Sequence, residues 1–132
     1  MSNTFVVGYI PSPEGEAALE RAIQEATVHG AKLVAVNIVH DDGSTIDDRY
    51  VSTEVSEELR TRLEKANISF EMVKAASPNV ADTILEIADY HNAKTIVLGL
   101  RKRSRVGKLI LGSVAQRVLM EADTAVLVVR AK

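Results

Sequence analysis

Short apolar runs alternate with segments of helical periodicity along the whole chain. Five apolar runs have the length of β-strands and lie at residues 5–10, 33–39, 70–73, 95–98 and 125–129. A run without polar interruptions, such as residues 5–10, is typical of a strand that is buried on both faces of its sheet. The pattern therefore predicts five strands, of which the third is the weakest.

The segments between these runs place apolar residues on one stripe of a helix. After a proline-rich break at residues 11–13, alanines recur at every fourth position from Ala18 to Ala26, and Gly30 ends the pattern. The second predicted helix carries its stripe at Val51, Val55, Leu59 and Leu63, the third at Val80, Ile84, Ile87 and Ala88, and the fourth spans residues 112–121. Ser77 is predicted to cap the third helix, with Pro78 at its first position.

Strands and helices that alternate in this way form a parallel sheet with helices on both faces, because each parallel connection must cross over the sheet. No linker, low-complexity segment or internal repeat interrupts the pattern. We therefore expect one α/β domain over residues 1–132, built on a five-stranded open parallel sheet. Ligands of such sheets bind outside the carboxyl ends of the strands, where the strand order reverses. The loops after Ile10, Val39 and Gly99 are expected near any site.

The composition excludes several classes of site. The chain has 132 residues, 46% of them hydrophobic, and a net charge of −2, so neither nucleic acid nor a membrane is expected as a partner. Cysteine is absent, which excludes disulfides, thiolate metal ligands and cysteine nucleophiles. No apolar run approaches the roughly 20 residues of a membrane span, and the first residues do not resemble a signal peptide. A cytoplasmic protein is expected.

The segment from residue 99 to residue 113 predicts an anion site. Gly99 follows the fourth strand directly, and Gly112-Ser113 begin the last helix. The intervening loop carries five cations, which are Arg101, Lys102, Arg103, Arg105 and Lys108. The first N–H groups of a helix have no partner within it, and the helix dipole favours negative charge there. One interpretation is phosphate capture, with Arg101 or Lys102 nearest the anion; the other is a solvated surface loop.

On these residues the chain resembles a universal stress protein of the small, single-domain kind. The similarity covers the whole length and rests on the strand alternation, the break at residues 11–13, the spacing from Gly99 to Gly112-Ser113, and the apolar ending at 125–129. Nucleotide-binding members have a glycine, two residues, a second glycine, nine residues and then Gly-Ser or Gly-Thr. The resemblance implies an adenine nucleotide alpha hydrolase-like fold with strand order 3-2-1-4-5, and ATP or another adenine nucleotide as the ligand.

The resemblance also implies which residues contact the nucleotide or phosphate. They are Gly99, Arg101 and Lys102, then Gly112, Ser113 and Val114, and finally Ile10 and Ile38 at the ends of the first two strands. Lys102 stands in place of the second glycine, where it either obstructs the backbone approach or supplies a charge. Ile10 stands in place of an aspartate and cannot accept a hydrogen bond or bind a metal. These two departures favour an alternative, a dimeric interaction protein that binds no nucleotide.

Two of these positions have a second interpretation each. The Ser113 hydroxyl contacts a phosphate oxygen, caps the helix that it begins, or does both. Ile38 falls where the family contacts adenine, and an apolar residue there suits either a base or the core.

No catalytic residue and no metal site are predicted. Ser113 is not part of a Gly-x-Ser-x-Gly turn, and the sequence places no histidine to activate it. We therefore expect a binding protein and not an enzyme. Slow ATP hydrolysis is the one activity that this expectation does not exclude. The histidines do not have metal-ligand spacing; the acidic turn His40-Asp41-Asp42 is the one place where carboxylates could reach a metal on a phosphate.

The resemblance further implies a homodimer. In the family the fifth strand lies at the sheet edge and pairs with its counterpart in a second subunit, which here places Val126, Leu127 and Val128 at the interface. This strand is apolar and contains no proline. An edge of this kind invites aggregation when it is bare, and a two-fold symmetric dimer would cover it.

Overall fold

The computed structural model describes residues 3–41, 52–102 and 109–131. In these ranges it contains the strands β1 (Thr4–Gly8), β2 (Lys32–His40), β3 (Phe70–Ser77), β4 (Thr95–Lys102), β5 (Leu109–Ile110) and β6 (Ala125–Arg130). The helices are α1 (Pro13–His29), α2 (Thr53–Lys65), α3 (Val80–Tyr90) and α4 (Ser113–Glu121). Among these helices, none is both long and apolar enough to cross a membrane. The predicted stripe residue Val51 lies outside the described residues.

Five of the strands form one parallel sheet in the order β3-β2-β1-β4-β6. The predicted order 3-2-1-4-5 is therefore confirmed, with β6 as the fifth parallel strand. β5 is an addition that the apolar pattern does not predict. It runs antiparallel to the end of β4, where Arg101 lies opposite Ile110 and Lys102 opposite Leu109.

The core lies in two layers, one on each face of the sheet. Alternate residues of β1 point to opposite faces, so that Val7 joins the layer under α1 and α2, whereas Val6 joins the layer under α3 and α4. The stripes Ala18, Leu19, Ala22 and Ala26 of α1 and Leu59 and Leu63 of α2 are buried in the first layer. Each fully buried leucine or valine contributes roughly 1.5–3 kcal/mol. The predicted helices on both faces are confirmed.

Local capping fixes where the helices begin and end. The Ser12 hydroxyl accepts a hydrogen bond from the backbone N–H of Gly15 (3.0 Å), and Gly30 ends α1 in the left-handed region at φ 59°. The prediction of Ser77 as the cap of the third helix is wrong. Asn79 is the cap, and its side chain accepts from the N–H of Asp82 at 3.1 Å. Ser77 remains in β3 because the ladder with β2 continues to this residue.

A polar network ties Tyr9, which directly follows β1, to the two helices on the same face. The Tyr9 hydroxyl donates to one carboxylate oxygen of Glu16 at 2.6 Å, and Arg62 of α2 donates to the other at 2.7 Å. Burial, the hydrogen bond to Glu16 and the charge of Glu16 raise the pKa of Tyr9, so the hydroxyl stays protonated and donates. Burial acts to raise the pKa of Glu16, but the hydrogen bonds from Tyr9 and Arg62 outweigh it, and this pKa lies below its ordinary value of 4.5.

Replacing Glu16 by glutamine is expected to lower the free energy of unfolding by about 1 kcal/mol at pH 7, since two hydrogen bonds to a charged group are weakened at a half-exposed site. A carboxylate with a depressed pKa in the folded state stabilises above its unfolded pKa and loses that contribution as the pH falls through the folded pKa. The difference between the two proteins should therefore shrink below about pH 4.5. Urea unfolding from pH 3 to pH 7 measures it. Glu20→Gln, at an exposed position of the same helix, is the control; a gap that stays constant with pH would contradict the role of the charge.

Candidate functional site

A cleft of about 520 Å³ opens at the carboxyl edge of the sheet. It lies at β1, where β2 and β3 extend the sheet to one side and β4 and β6 to the other. Its walls come from the ends of β1, β2 and β4 and from the starts of α1, α3 and α4. The reversal of strand order puts the cleft where open α/β sheets bind ligands, and its volume is in the range of small-molecule sites.

The start of α4 faces this cleft without a side-chain cap. Gly112 is the N-cap residue, and no side chain among the described residues hydrogen-bonds to the first turn as a cap. The first intrahelical bond runs from the N–H of Gln116 to the carbonyl of Gly112 (2.9 Å), so the N–H groups of Ser113, Val114 and Ala115 precede it. The interpretation of Ser113 as the cap of this helix is wrong, because Ser113 is already its first helical residue. Its exposed hydroxyl lines the cleft instead.

The other two helices at the cleft begin differently. Ser12 caps α1 and Asn79 caps α3, each by accepting a hydrogen bond from an N–H in the first turn. Of the three helix starts at the cleft, α4 is therefore the one without a side-chain cap. Anions bind at such a terminus because the N–H groups point outward and the helix dipole is positive there.

The two motif glycines have different surroundings. A Cβ atom on Gly99 would overlap the carbonyl oxygen of Glu14 and would lie 2.9 Å from the Glu14 Cβ atom. Glycine at this position therefore lets α1 approach β4. A Cβ atom on Gly112 would meet no heavy atom within 4 Å, so at Gly112 the backbone stays open toward the cleft.

The charged side chains of the cleft are arranged in pairs. The Nε atom of Arg101 lies 3.6 Å from a carboxylate oxygen of Glu14, whose side chain is only 16% exposed. Arg117 of α4 contacts Asp82 of α3 at 3.2 Å and Glu121 one helical turn further on at 2.7 Å. Both arginines line the cleft, and both have half-exposed side chains that can turn toward an anion.

The rest of the lining is largely apolar. Ile38 lines the cleft and is also buried in the core layer that contains Ala81 and Ile84. The core interpretation of Ile38 is therefore confirmed, and contact with a base stays a prediction. Ile10, two residues after the end of β1, lines the cleft as well and brings no hydrogen-bond acceptor in its side chain.

The structure brings the predicted site residues together at one cleft. Those that line it are Gly99, Arg101, Gly112, Ser113, Val114, Ile10 and Ile38. The backbone of Lys102 belongs to β4 beside them, and its side chain lies outside the described part of the chain. Arg103, Arg105 and Lys108 also lie outside the described residues. The contacts of all the predicted site residues with a ligand remain predictions.

Sequence reasoning missed Glu14, Asn79 and Arg117, which all line the cleft. Of the acidic turn, His40 lines the cleft, the N–H of Asp41 donates to the carbonyl of Ser77 at 2.9 Å, and Asp42 lies outside the described residues. Within residues 3–41, 52–102 and 109–131, no group of three acidic, histidine or cysteine residues is placed to hold a metal ion.

The known proteins that this chain resembles in sequence and in structure belong to one family. The model of the universal stress protein family matches residues 1–130. A universal stress protein of Mycolicibacterium smegmatis is 34% identical over 126 residues, which cover 96% of each chain. The solved structure of a universal stress protein from Archaeoglobus fulgidus has a TM-score of 0.78 at 28% identity and covers 98% of each chain.

Two further solved structures share the fold. A universal stress protein in complex with cAMP has a TM-score of 0.73 at 22% identity, and one from Archaeoglobus fulgidus in complex with dAMP has a TM-score of 0.69 at 21% identity; each covers 98% of both chains. The family model and the relative from M. smegmatis extend over nearly the whole chain, as the fold does. The chain therefore belongs to the universal stress protein family.

Proposed function

We propose that this protein is a cytoplasmic, homodimeric universal stress protein, with a single domain over residues 1–132, whose cleft binds an adenine nucleotide or a similar phosphorylated ligand in the stress response. The observation that carries the proposal is the uncapped start of α4. It faces a cleft of about 520 Å³ together with the guanidinium group of Arg101. The complexes of two structural relatives with cAMP and dAMP support the choice of an adenine nucleotide.

Each part of the cleft has a role in this proposal. The N–H groups at Ser113 and Val114 and the Ser113 hydroxyl donate to phosphate oxygens, and Arg101 supplies a countercharge. Lys102, which follows Arg101 on β4, adds a second countercharge. Ile10 and Ile38 form the apolar surface on which the base lies. Because Ile10 replaces the aspartate of ATP-binding relatives, no contact to a metal-bound triphosphate is assigned to that position.

Isothermal titration with AMP, cyclic AMP, ADP and ATP tests the proposal. Saturable heat with at least one of them at micromolar to millimolar concentration is the expected result. No heat with any of them at millimolar concentration would reject nucleotide binding. It would leave the alternative, a dimeric interaction protein of the same family, which Ile10 and the pairing of Arg101 with Glu14 favour.

We assign this protein a binding role without catalysis. The described part of the cleft offers no nucleophile with an adjacent base, because the Ser113 hydroxyl has no histidine or carboxylate as a hydrogen-bond partner among the described residues. ATP turnover that disappears in a Ser113→Ala variant would instead identify an enzyme.

The homodimer is proposed to form through β6. This strand pairs with β4 on one side, and no other described strand covers its outer edge. Val126 and Leu127 pack into the two opposite core layers, whereas Val128 is partly buried and belongs to neither. Antiparallel pairing of two β6 strands would satisfy the free N–H and C=O groups of the edge.

Replacing Val128 by lysine is expected to shift the dimer toward monomer, because it places like charges near the two-fold axis while the core residues Val126 and Leu127 stay in place. Analytical ultracentrifugation at micromolar concentration should give twice 14.3 kDa for the wild type and a lower mass for the variant. Val28→Lys, at a valine of α1 that is 77% exposed, is the matched control and should leave the mass unchanged. A wild type with a sedimentation mass of 14.3 kDa would contradict the proposed dimer.

A further inference from the structure

A carboxylate lies within the cleft that is proposed to bind an anion. Glu14 belongs to the first turn of α1 and lines the cleft with a side chain that is 16% exposed. Its carboxylate lies 3.6 Å from the Nε atom of Arg101. An anion that reaches Arg101 therefore approaches Glu14 as well.

The main chain of Glu14 has little room to move away. It packs directly over Gly99, which has no side chain, and the next residue, Gly15, donates its N–H to the Ser12 hydroxyl. Gly15 is itself in close contact with the backbone of Ile10, where a Cβ atom would overlap the carbonyl oxygen. The start of α1 is thus held against Ile10 and β4, and the Glu14 side chain extends from this main chain at the cleft wall.

The described charges of the cleft suit a ligand with few negative charges. Arg101 is paired with Glu14, and Arg117 is paired with Asp82 and Glu121. Of the three helix starts at the cleft, only that of α4 has no acidic residue in its first turn, whereas α1 carries Glu14 and α3 carries Asp82 there. One phosphate group can use that terminus. To use Arg101 as well, further phosphates on the same ligand would have to draw it away from Glu14. The Glu14 carboxylate would then be left beside like charges, which disfavours binding.

We infer that Glu14 is a specificity-determining residue, which makes the cleft select adenine nucleotides with one phosphate group over adenine nucleoside triphosphates. The inference rests on the proposed function and narrows its ligand class. In this inference Glu14 disfavours ligands that carry additional phosphate groups. Arg101 interacts with both the Glu14 carboxylate and the phosphate of the ligand. The opposite role for Glu14 would be to favour a triphosphate. In that role Glu14 would replace the missing strand-end aspartate and bind a metal ion that is held by the triphosphate.

Calorimetric titration of the wild type with AMP, ADP and ATP, with and without Mg²⁺, tests the inference. Affinity should fall as phosphates are added, with AMP binding at least about tenfold more tightly than ATP. This comparison needs no variant. A wild type that binds ATP as tightly as AMP, or more tightly, overturns the inference while nucleotide binding stands, whereas a wild type that binds none of them rejects the proposed function.

Glu14→Gln then tests the residue itself. We expect ATP affinity to rise about tenfold and AMP affinity to change less than threefold, since glutamine keeps the shape and removes the charge. Glu20→Gln, which removes the same charge from an exposed position of α1 that does not line the cleft, should change neither affinity. An unchanged AMP-to-ATP ratio in Glu14→Gln overturns the inference, and so does weaker ATP binding in Mg²⁺, which would identify Glu14 as a metal ligand. Thermal melting confirms that both variants are folded.

Discussion

Replacing Gly99 by alanine is expected to lower the free energy of unfolding by about 3 kcal/mol, whereas the same replacement at Gly112 should cost less than about 1 kcal/mol. The added methyl group at Gly99 would collide with the main chain of Glu14. Main-chain atoms at a capped helix start cannot rotate away as a flexible side chain can, so α1 or β4 must shift. At Gly112 the methyl group enters open space, and the backbone has a φ of −63°, which any residue adopts.

Urea unfolding at pH 7 compares the two variants directly. Both positions are glycines of the same motif and both changes add one methyl group, so each variant is the control for the other. Equal losses of stability would contradict the packing role of Gly99. A stable Gly99→Ala variant that has lost nucleotide binding would instead indicate that Gly99 contacts the ligand, as the family motif implies.

Replacing Arg101 by glutamine is expected to weaken AMP binding by about 10- to 100-fold. A hydrogen bond to a charged group contributes about 1.5–3 kcal/mol, and each 1.4 kcal/mol is a factor of ten in affinity. The loss is increased because the carboxylate of Glu14 would remain at the cleft wall without its described partner. The remaining affinity should also depend less on salt, since one screened ion pair has been removed.

Titrations at 50 mM and 300 mM NaCl measure both effects. Arg21→Gln is the matched control, because Arg21 is an exposed arginine of α1 that pairs with Glu25 and does not line the cleft. It should leave the affinity unchanged. An Arg101→Gln variant that binds AMP as the wild type does would place the phosphate away from Arg101 and contradict the proposed site.

The sheet was predictable from the sequence because buried parallel strands are apolar at nearly every position. β1 and β2 stand out from their neighbours for this reason. The short strand β5 was not predictable, since its two residues pair only with the extension of β4 beyond Gly99. The cap of α3 was assigned two residues too early. Ser77 and Asn79 are both good caps, and the ladder with β2, which the sequence does not show, decides between them.

The candidate site was predictable where it depends on local spacing, as at Gly112 and Ser113. It was not predictable where it depends on helix packing. Glu14 is indistinguishable in sequence from any acidic residue of a first helical turn, where the dipole favours it. Arg117 has the sequence pattern of a surface pair with Glu121. Only the packing of α3 against α4 and of α1 over Gly99 brings these two side chains to the cleft.

The central claim is that a phosphate group binds at the start of α4, and the backbone amide signals of ¹⁵N-labelled protein test it most directly. Addition of AMP is expected to shift the amide signals of Ser113, Val114 and Ala115 most strongly, because these N–H groups would exchange water for phosphate oxygens. The amides of Gly15 and Asp82, whose helix starts are capped by Ser12 and Asn79, should shift less. Saturating AMP that leaves the three α4 signals in place, or that shifts only residues remote from the cleft, would contradict the account.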